Sequence, residues 1–236
     1  MKINIITPIN NIAYMKNAIF NFERQLHKDK RLILVCNGNL LSYTSTNKDI
    51  ISLHIEDENI GKARNKALDF LKNGDFFANF DGDDDYDSYY LSELDEIIES
   101  NLHIKNIIIG KLDYKIKHKN DIYEIIGLKG NVIHGPTISS YVDNIRYPEI
   151  SFSEDFSYVK EKIKKGATLI KSSFDHFLYN KNNIGASKSS LPQLLNQIKL
   201  NNTIQNNQIK IIKNGNLIWK TGDNYEINNI SDLINI

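Results

Sequence analysis

The chain has 236 residues, 41% of them hydrophobic and 25% charged, enough for one sizeable core and a small appendage. Its 29 basic and 29 acidic side chains cancel, so no basic excess argues for nucleic acid as a partner. A single cysteine, Cys36, excludes an internal disulfide framework and fits a reducing compartment.

The opening run from Met1 to Pro8 is too short in apolar residues for a signal peptide. No uninterrupted apolar stretch approaches the ~20 residues that span a bilayer. The expected location is the cytoplasm, with peripheral attachment to a membrane left open. Ile3–Ile6 reads as a short buried strand ended by Thr7-Pro8. Met15, Ala18, Ile19, Phe22 and Leu26 then recur at helical spacing. Leu32–Cys36 predicts a second strand closed by Asn37-Gly38-Asn39, and Ile50–Ile55 a third. A helix opens at Gly61, carries Ala63, Ala67, Leu68 and Leu71 inward, and finds a stop at Gly74. Phe76–Phe80 predicts a fourth strand; Leu91, Leu94, Ile97 and Ile98 mark a helix, and Ile107–Ile109 a further strand.

Strands alternating with helices at this spacing predict an α/β fold, a largely parallel sheet covered on both faces. Neither a G-x-G-x-x-G nor a G-x-x-x-x-G-K phosphate loop is present, which argues against a dinucleotide dehydrogenase or a P-loop NTPase. From Leu112 to Ile125 the pattern alternates about a turn at Lys119-Asn120-Asp121, predicting an antiparallel hairpin. Residues 127–148, with Gly130, Gly135, Pro136 and Pro148, read as irregular loop and short helix. Ser153 is positioned to cap a helix whose Phe156, Val159 and Ile163 face inward, followed by a strand from Ala167 to Lys171. Residues 191–236 read as an appendage to a main domain of residues 1–190: a helix through Leu191, Leu194, Leu195 and Ile198, then a hairpin about Asn214-Gly215 that carries Trp219 as a packing residue. The Ile-rich tail offers a surface for a homodimer.

The chemistry concentrates after the fourth strand. The aromatic run Phe76–Phe80 stops in Asp81, Asp83, Asp84 and Asp85, four carboxylates within five residues. Like charges at that density are costly to desolvate unpaired, and a divalent cation is the economical counter-charge. Oxygen-only ligands favour Mg²⁺ or Mn²⁺ over zinc, and the carboxyl ends of strands in open α/β sheets are where ligands bind. Gly82 lets the flanking carboxylates approach closely. An acidic surface turn is the competing explanation.

These residues resemble the inverting family 2 glycosyltransferases of GT-A fold. Thr7-Pro8-Ile9-Asn10 is similar to that family's opening T-P-x-x-N. Asn59-Ile60-Gly61-Lys62-Ala63-Arg64-Asn65 resembles its N-x-G-x-x-x-A-R-N segment, contracted by about one residue. Phe80-Asp81-Gly82-Asp83-Asp84-Asp85-Tyr86 resembles its L-D-x-D-D-x-Y, and Ser153-Glu154-Asp155-Phe156 its later E-D pair. The resemblance covers roughly residues 1–190. It implies a Rossmann-like nucleotide-binding sheet and a Mn²⁺- or Mg²⁺-dependent transfer of a sugar, from a UDP-sugar above all, to a glycan hydroxyl in bacterial surface polysaccharide synthesis. The acceptor is then a soluble or lipid-linked carbohydrate.

On this resemblance Asp81 and Asp83 bind the metal, Asp81 also reaching the donor ribose; the overlapping Asp83-Asp84-Asp85 leaves the register open. His176 is a third metal ligand, a diphosphate contact or a packed residue. Asp155 is the general base, or else a carboxylate that merely complements the helix dipole. Thr7, Pro8, Asn37 and Arg64 are donor contacts. Arg64 and Lys62 meet the diphosphate or nucleobase, or form a solvated helix face; His134 lines a sugar or acceptor pocket. Asn37 stands where the family carries an acidic nucleotide contact. That departure sustains a rival reading, a degenerate domain that binds nucleotide or glycan without turnover.

Overall fold

The structure, a computed structural model, describes residues 1–38, 40, 43–57, 59–111, 113–118, 120–126, 135–150, 153–172, 177–180 and 210–220. His134, His176 and the expected helix from Leu191 lie outside these residues. The chain forms two compact units: Met1–Lys111 with Asn131–Phe177, and Leu112–Gly130 with Leu178–Ile236.

In the first unit the order is β1 (Ile3–Ile9), α1 (Ile12–Glu23), β2 (Lys30–Asn37), β3 (Ile50–Ile55), α2 (Ile60–Phe70), β4 (Phe76–Asn79), the two-residue β5 (Asp85–Tyr86), α3 (Tyr90–Ser100) and β6 (Ile107–Lys111). The second unit contributes β7 (Tyr114–His118) and β8 (Asp121–Ile126). The first then resumes with a 3₁₀ turn (Gly135–Thr137), β9 (Ser139–Tyr141), α4 (Glu154–Lys164) and β10 (Thr168–Ser172). Last come β11 (Phe177–Asn180), β12 (Lys210–Lys213) and β13 (Asn216–Lys220).

The first unit is a seven-stranded sheet ordered β10-β6-β9-β4-β1-β2-β3. Its strands pair in parallel except β9, which runs antiparallel to β4 and β6. The βαβ steps through α1 and α2 run in opposite directions along the sheet, and right-handed crossovers therefore place the two helices on opposite faces. On the α2 face Ile6, Ile33, Val35, Phe77 and Ile108 pack with Ala63, Ala67 and Leu68 of α2 and with Tyr158 and Val159 of α4. Alternate strand residues such as Ile5, Leu34 and Phe76 are equally buried and turn the other way. Full burial of each large side chain stabilises the fold by about 1.5–3 kcal/mol.

The α/β architecture follows the sequence pattern; several details differ. β1 does not stop at Thr7-Pro8 but pairs with β2 as far as Ile9. β4 leaves β1 after Ile6, so Pro8, which has no N–H, falls where only one neighbour remains. α1 ends at Glu23, and Leu26 is exposed outside it. α2 ends at Phe70, and Gly74, at φ +89°, serves the following turn rather than the helix. The stretch expected to be irregular contains β9, inserted between β4 and β6, with Phe76 and Tyr141 edge to face at 5.1 Å. Ser153 makes no side-chain cap, being left-handed at φ 61°, and Phe156 is exposed rather than inward.

In the second unit the expected hairpin of β7 and β8 forms. Its edge is extended by the later β12–β13 hairpin, for β12 pairs antiparallel with β8, while β11 pairs in parallel with β7.

Candidate active site

The site is assembled in the first unit at the carboxyl end of β4. Carboxylate oxygens of Asp81, Asp83 and Asp84 lie within 4.8 Å of one another. Asp84 is fully buried, and Asp81 and Asp83 are half-buried. Three convergent hard oxygen donors fit Mg²⁺ or Mn²⁺. Asp84 thus joins the expected pair, within the overlapping register visible in the sequence. Gly82 packs against the start of α1: a Cβ there would lie 2.8 Å from Tyr14 Cβ and 2.9 Å from Ile9 Cδ1. Burial, with Asp83 nearby, pushes the Tyr14 phenol above its ordinary range.

The acidic loop is held by α1 through amides that sequence reading passed over. Asn17 Nδ2 donates to the carbonyls of Gly82 (3.0 Å) and Asp84 (2.8 Å), and Asn21 Nδ2 donates to Asp84 O at 2.8 Å. Asn21 Oδ1 accepts from Tyr86 N, and Gln25 Nε2 donates to the carbonyls of Tyr86 and Asp87. Asn17 and Asn21 are spaced i, i+4 on one face of α1, and Gln25 follows just past its end. On the other side Tyr86 stacks on Phe80 at 3.7 Å, accepts from Asp81 N at 2.8 Å, and donates to Pro136 O at 3.0 Å.

Arg64 lies on α2, which begins at its N-cap Asn59; Asn59 accepts from Lys62 N. The guanidinium is buried. Nη1 donates to Glu154 Oε1 at 2.5 Å and Nη2 to Asp81 Oδ1 at 3.2 Å, with the Tyr147 ring 5.3 Å away. Burial opposes its charge, but Asp81 and Glu154 more than offset this and hold the proton more firmly than in free arginine. Burial also pushes the Glu154 carboxyl up, Arg64 pulling it back and Asp155 adding to the rise. Tyr147 stacks on Tyr158 at 4.1 Å and is bracketed through its backbone by Asn65.

Asp155 stands in the first turn of α4 beside Glu154, half-buried, with its Oδ1 accepting from Phe156 N at 2.7 Å and its Oδ2 against Gly135. Thr7, near the end of β1 but before Ile9, and Asn37, at the end of β2, are buried; Thr7 Oγ1 and Asn37 Oδ1 have no hydrogen-bond partner among the described residues. Pro8 sits between them in sequence and pairs with Val35. Lys62 is exposed and pairs with Asp57 at 2.6 Å. The structure therefore brings Asp81, Asp83, Asp84, Arg64, Glu154 and Asp155 into one linked set, with Thr7, Pro8 and Asn37 at the ends of neighbouring strands.

No protein-family model and no curated protein match the sequence. Solved structures do. S. aureus TarS 1-349 in complex with UDP-GlcNAc superposes with a TM-score of 0.58 at 16% identity, covering 84% of this chain and 64% of that one. The mannosyltransferase PcManGT from Pyrobaculum calidifontis, in complex with GDP-Man and Mn2+, gives 0.56 at 12% identity, covering 78% of this chain and 58% of that one. The chain thus spans about three fifths of the length of the structures it matches. The fold is that of the GT-A glycosyltransferases. Among the described residues no helix is long and apolar enough to cross a membrane.

Proposed function

We propose that the protein is an inverting, metal-dependent glycosyltransferase that moves a sugar from a nucleotide donor, a UDP-sugar above all, to a carbohydrate hydroxyl. The observation that carries this reading is the Asp81–Asp83–Asp84 cluster, tied through Arg64 to the Glu154–Asp155 pair. TarS with UDP-GlcNAc and PcManGT with GDP-Man and Mn2+ support the donor class and the use of a metal.

Asp81, Asp83 and Asp84 would hold a divalent ion, which would supply positive charge for the leaving diphosphate, the largest electrostatic demand of such a reaction. Asp155 accepts the proton of the acceptor hydroxyl as that oxygen forms its bond to the anomeric carbon. The bond from that carbon to the diphosphate oxygen breaks on the opposite face, and one displacement inverts the configuration. Asn37 Oδ1, a buried acceptor, takes an N–H of the nucleobase, the task an acidic residue would otherwise perform. Thr7 and Pro8 shape the floor beneath the nucleotide. Arg64 fixes Asp81 and Glu154 while adding positive charge near the diphosphate. Assembly of bacterial surface polysaccharide, at the inner face of the membrane, is the setting that fits these parts.

Calorimetric titration with UDP, with and without Mn²⁺ and then with EDTA, tests the reading, followed by GDP, CMP and dTDP and by the corresponding sugars. Metal-dependent binding followed by sugar release or transfer is the expected result. Binding without turnover of any donor selects the non-catalytic reading instead, and failure to bind all four nucleotides refutes the proposal.

A further inference from the structure

We infer that Gly135 is a positioning residue for Asp155, keeping open the space in which the carboxylate must lie; the inference rests on the role of Asp155 as general base. A Cβ built on Gly135 would fall 2.1 Å from Asp155 Oδ2, 2.9 Å from its Cγ and 3.0 Å from its Cβ. Gly135 lies in the right-handed 3₁₀ turn, so no left-handed backbone demands glycine, although the following Pro136 adds some crowding for any Cβ at this position. The requirement is for room.

The wall that Gly135 forms is stiff. Its carbonyl accepts from Asn79 Nδ2 at 3.0 Å and from Ile138 N at 3.2 Å, and the next carbonyl, of Pro136, accepts from Tyr86 at 3.0 Å. Tyr86 is itself bound to the acidic loop through Asp81 N. One hydroxyl therefore sets the spacing between the metal-binding loop and the turn against which Asp155 rests. From the other side Arg64 fixes Glu154, the residue adjacent to Asp155, at 2.5 Å. Ser153, just before, adopts the left-handed region at φ 61°, ψ 19°, which a non-glycine residue enters at a cost. Directly after it Glu154 faces Arg64 and Asp155 meets Gly135. Asp155 Oδ1 is occupied by Phe156 N, so Oδ2 is the oxygen that a side chain at position 135 would displace.

The test is Gly135→Ala in the full chain. Ordinary contact begins near 3.4 Å, so the carboxylate must move by about 1 Å, a misplacement that can cost on the order of 100-fold in rate. The expected result is Mn²⁺-dependent UDP binding within about threefold of wild type, with kcat for sugar transfer or donor hydrolysis lowered about 100-fold. The melting temperature should fall in Gly135→Ala, and the same substitution should cost clearly less in an Asp155→Ala background, where the new methyl occupies vacated space. Such non-additivity marks a direct contact. A variant that transfers sugar as fast as wild type overturns the inference, as does a thermal cost of Gly135→Ala that is equal in the wild-type and Asp155→Ala backgrounds. If Gly135→Ala alone fails to fold, a folded double variant upholds the contact and an unfolded one overturns it. Wild-type protein inert toward UDP-, GDP-, CMP- and dTDP-sugars removes the proposed function and with it the positioning role, while the thermal comparison still reports whether the two side chains collide.

Discussion

Arg64 Nη1 and Glu154 Oε1 lie 2.5 Å apart in the protein interior, joining the second helix to the start of the fourth. The same guanidinium reaches Asp81, so one buried cation links two carboxylates that belong to different parts of the site. Removing one partner of such a pair leaves an uncompensated buried charge. Arg64→Met is expected to cost about 3–5 kcal/mol in urea denaturation, and Arg64→Met/Glu154→Met to recover part of it. A single variant as stable as wild type would show that the pair contributes nothing to the fold.

Asp83 and Asp155 should separate binding from turnover. Asp83→Ala is expected to abolish metal-dependent UDP binding, whereas Asp155→Asn should leave Kd within about threefold and lower transfer by about 100-fold or more. Calorimetry beside a transfer assay reads both. Equal loss of binding in the two variants contradicts the division of roles.

The amides of α1 should control the acidic loop from a distance. Asn21 holds Asp84 O and Tyr86 N, and is fully buried. Asn21→Leu leaves Tyr86 N without this acceptor, and each lost or orphaned hydrogen bond costs about 1–3 kcal/mol. The expected outcome is a lower melting temperature together with weaker Mn²⁺-dependent UDP binding. Destabilisation with unchanged metal dependence would confine Asn21 to the fold.

Lys162 supplies a pH signature. It is buried on α4, with Nζ donating to Asp143 Oδ2 at 2.7 Å and to Tyr141 O at 3.0 Å. Burial pushes its amine below the ordinary lysine range, Asp143 opposing. The unfolded chain therefore holds this proton to higher pH than the folded one, and stability rises with pH between the lowered folded value and the ordinary value. Wild type should gain stability relative to Lys162→Met as pH rises toward the ordinary lysine value of about 10.4, with a slope of at most about 1.4 kcal/mol per pH unit. Denaturation curves at matched pH check this, and a constant difference would show that the amine is not shifted.

Much of the architecture was legible because period and punctuation agreed. The apolar runs at Ile3, Leu32, Phe76 and Ile107 become adjacent or near-adjacent strands, and the acidic cluster ends a strand, where a parallel sheet exposes its loops. What escaped was non-local. The residues of β9 carry too short a run to announce a strand, and the strand exists because β4 and β6 leave a gap between them. Arg64 was expected either to meet the diphosphate or nucleobase or to form a solvated helix face; the solvated face is overturned, because Arg64 is buried against Glu154, far along the chain. The amides at 17, 21 and 25 looked like the polar side of an amphipathic helix, because their partners are backbone carbonyls that no side-chain pattern encodes. Ser153 suited a cap by residue type, but the left-handed turn removed it from that task.

The pairing of β8 with β12 has a consequence for the order of folding. At 5–20 residues per second, synthesis delivers Lys210 on the order of ten seconds after Ile126. During that interval the hydrogen-bonding edge of Tyr123–Ile126 awaits its partner and can recruit another strand. A nascent or truncated chain ending before Lys210 is therefore the species in which association through this edge is expected, while the finished chain closes it with its own β12.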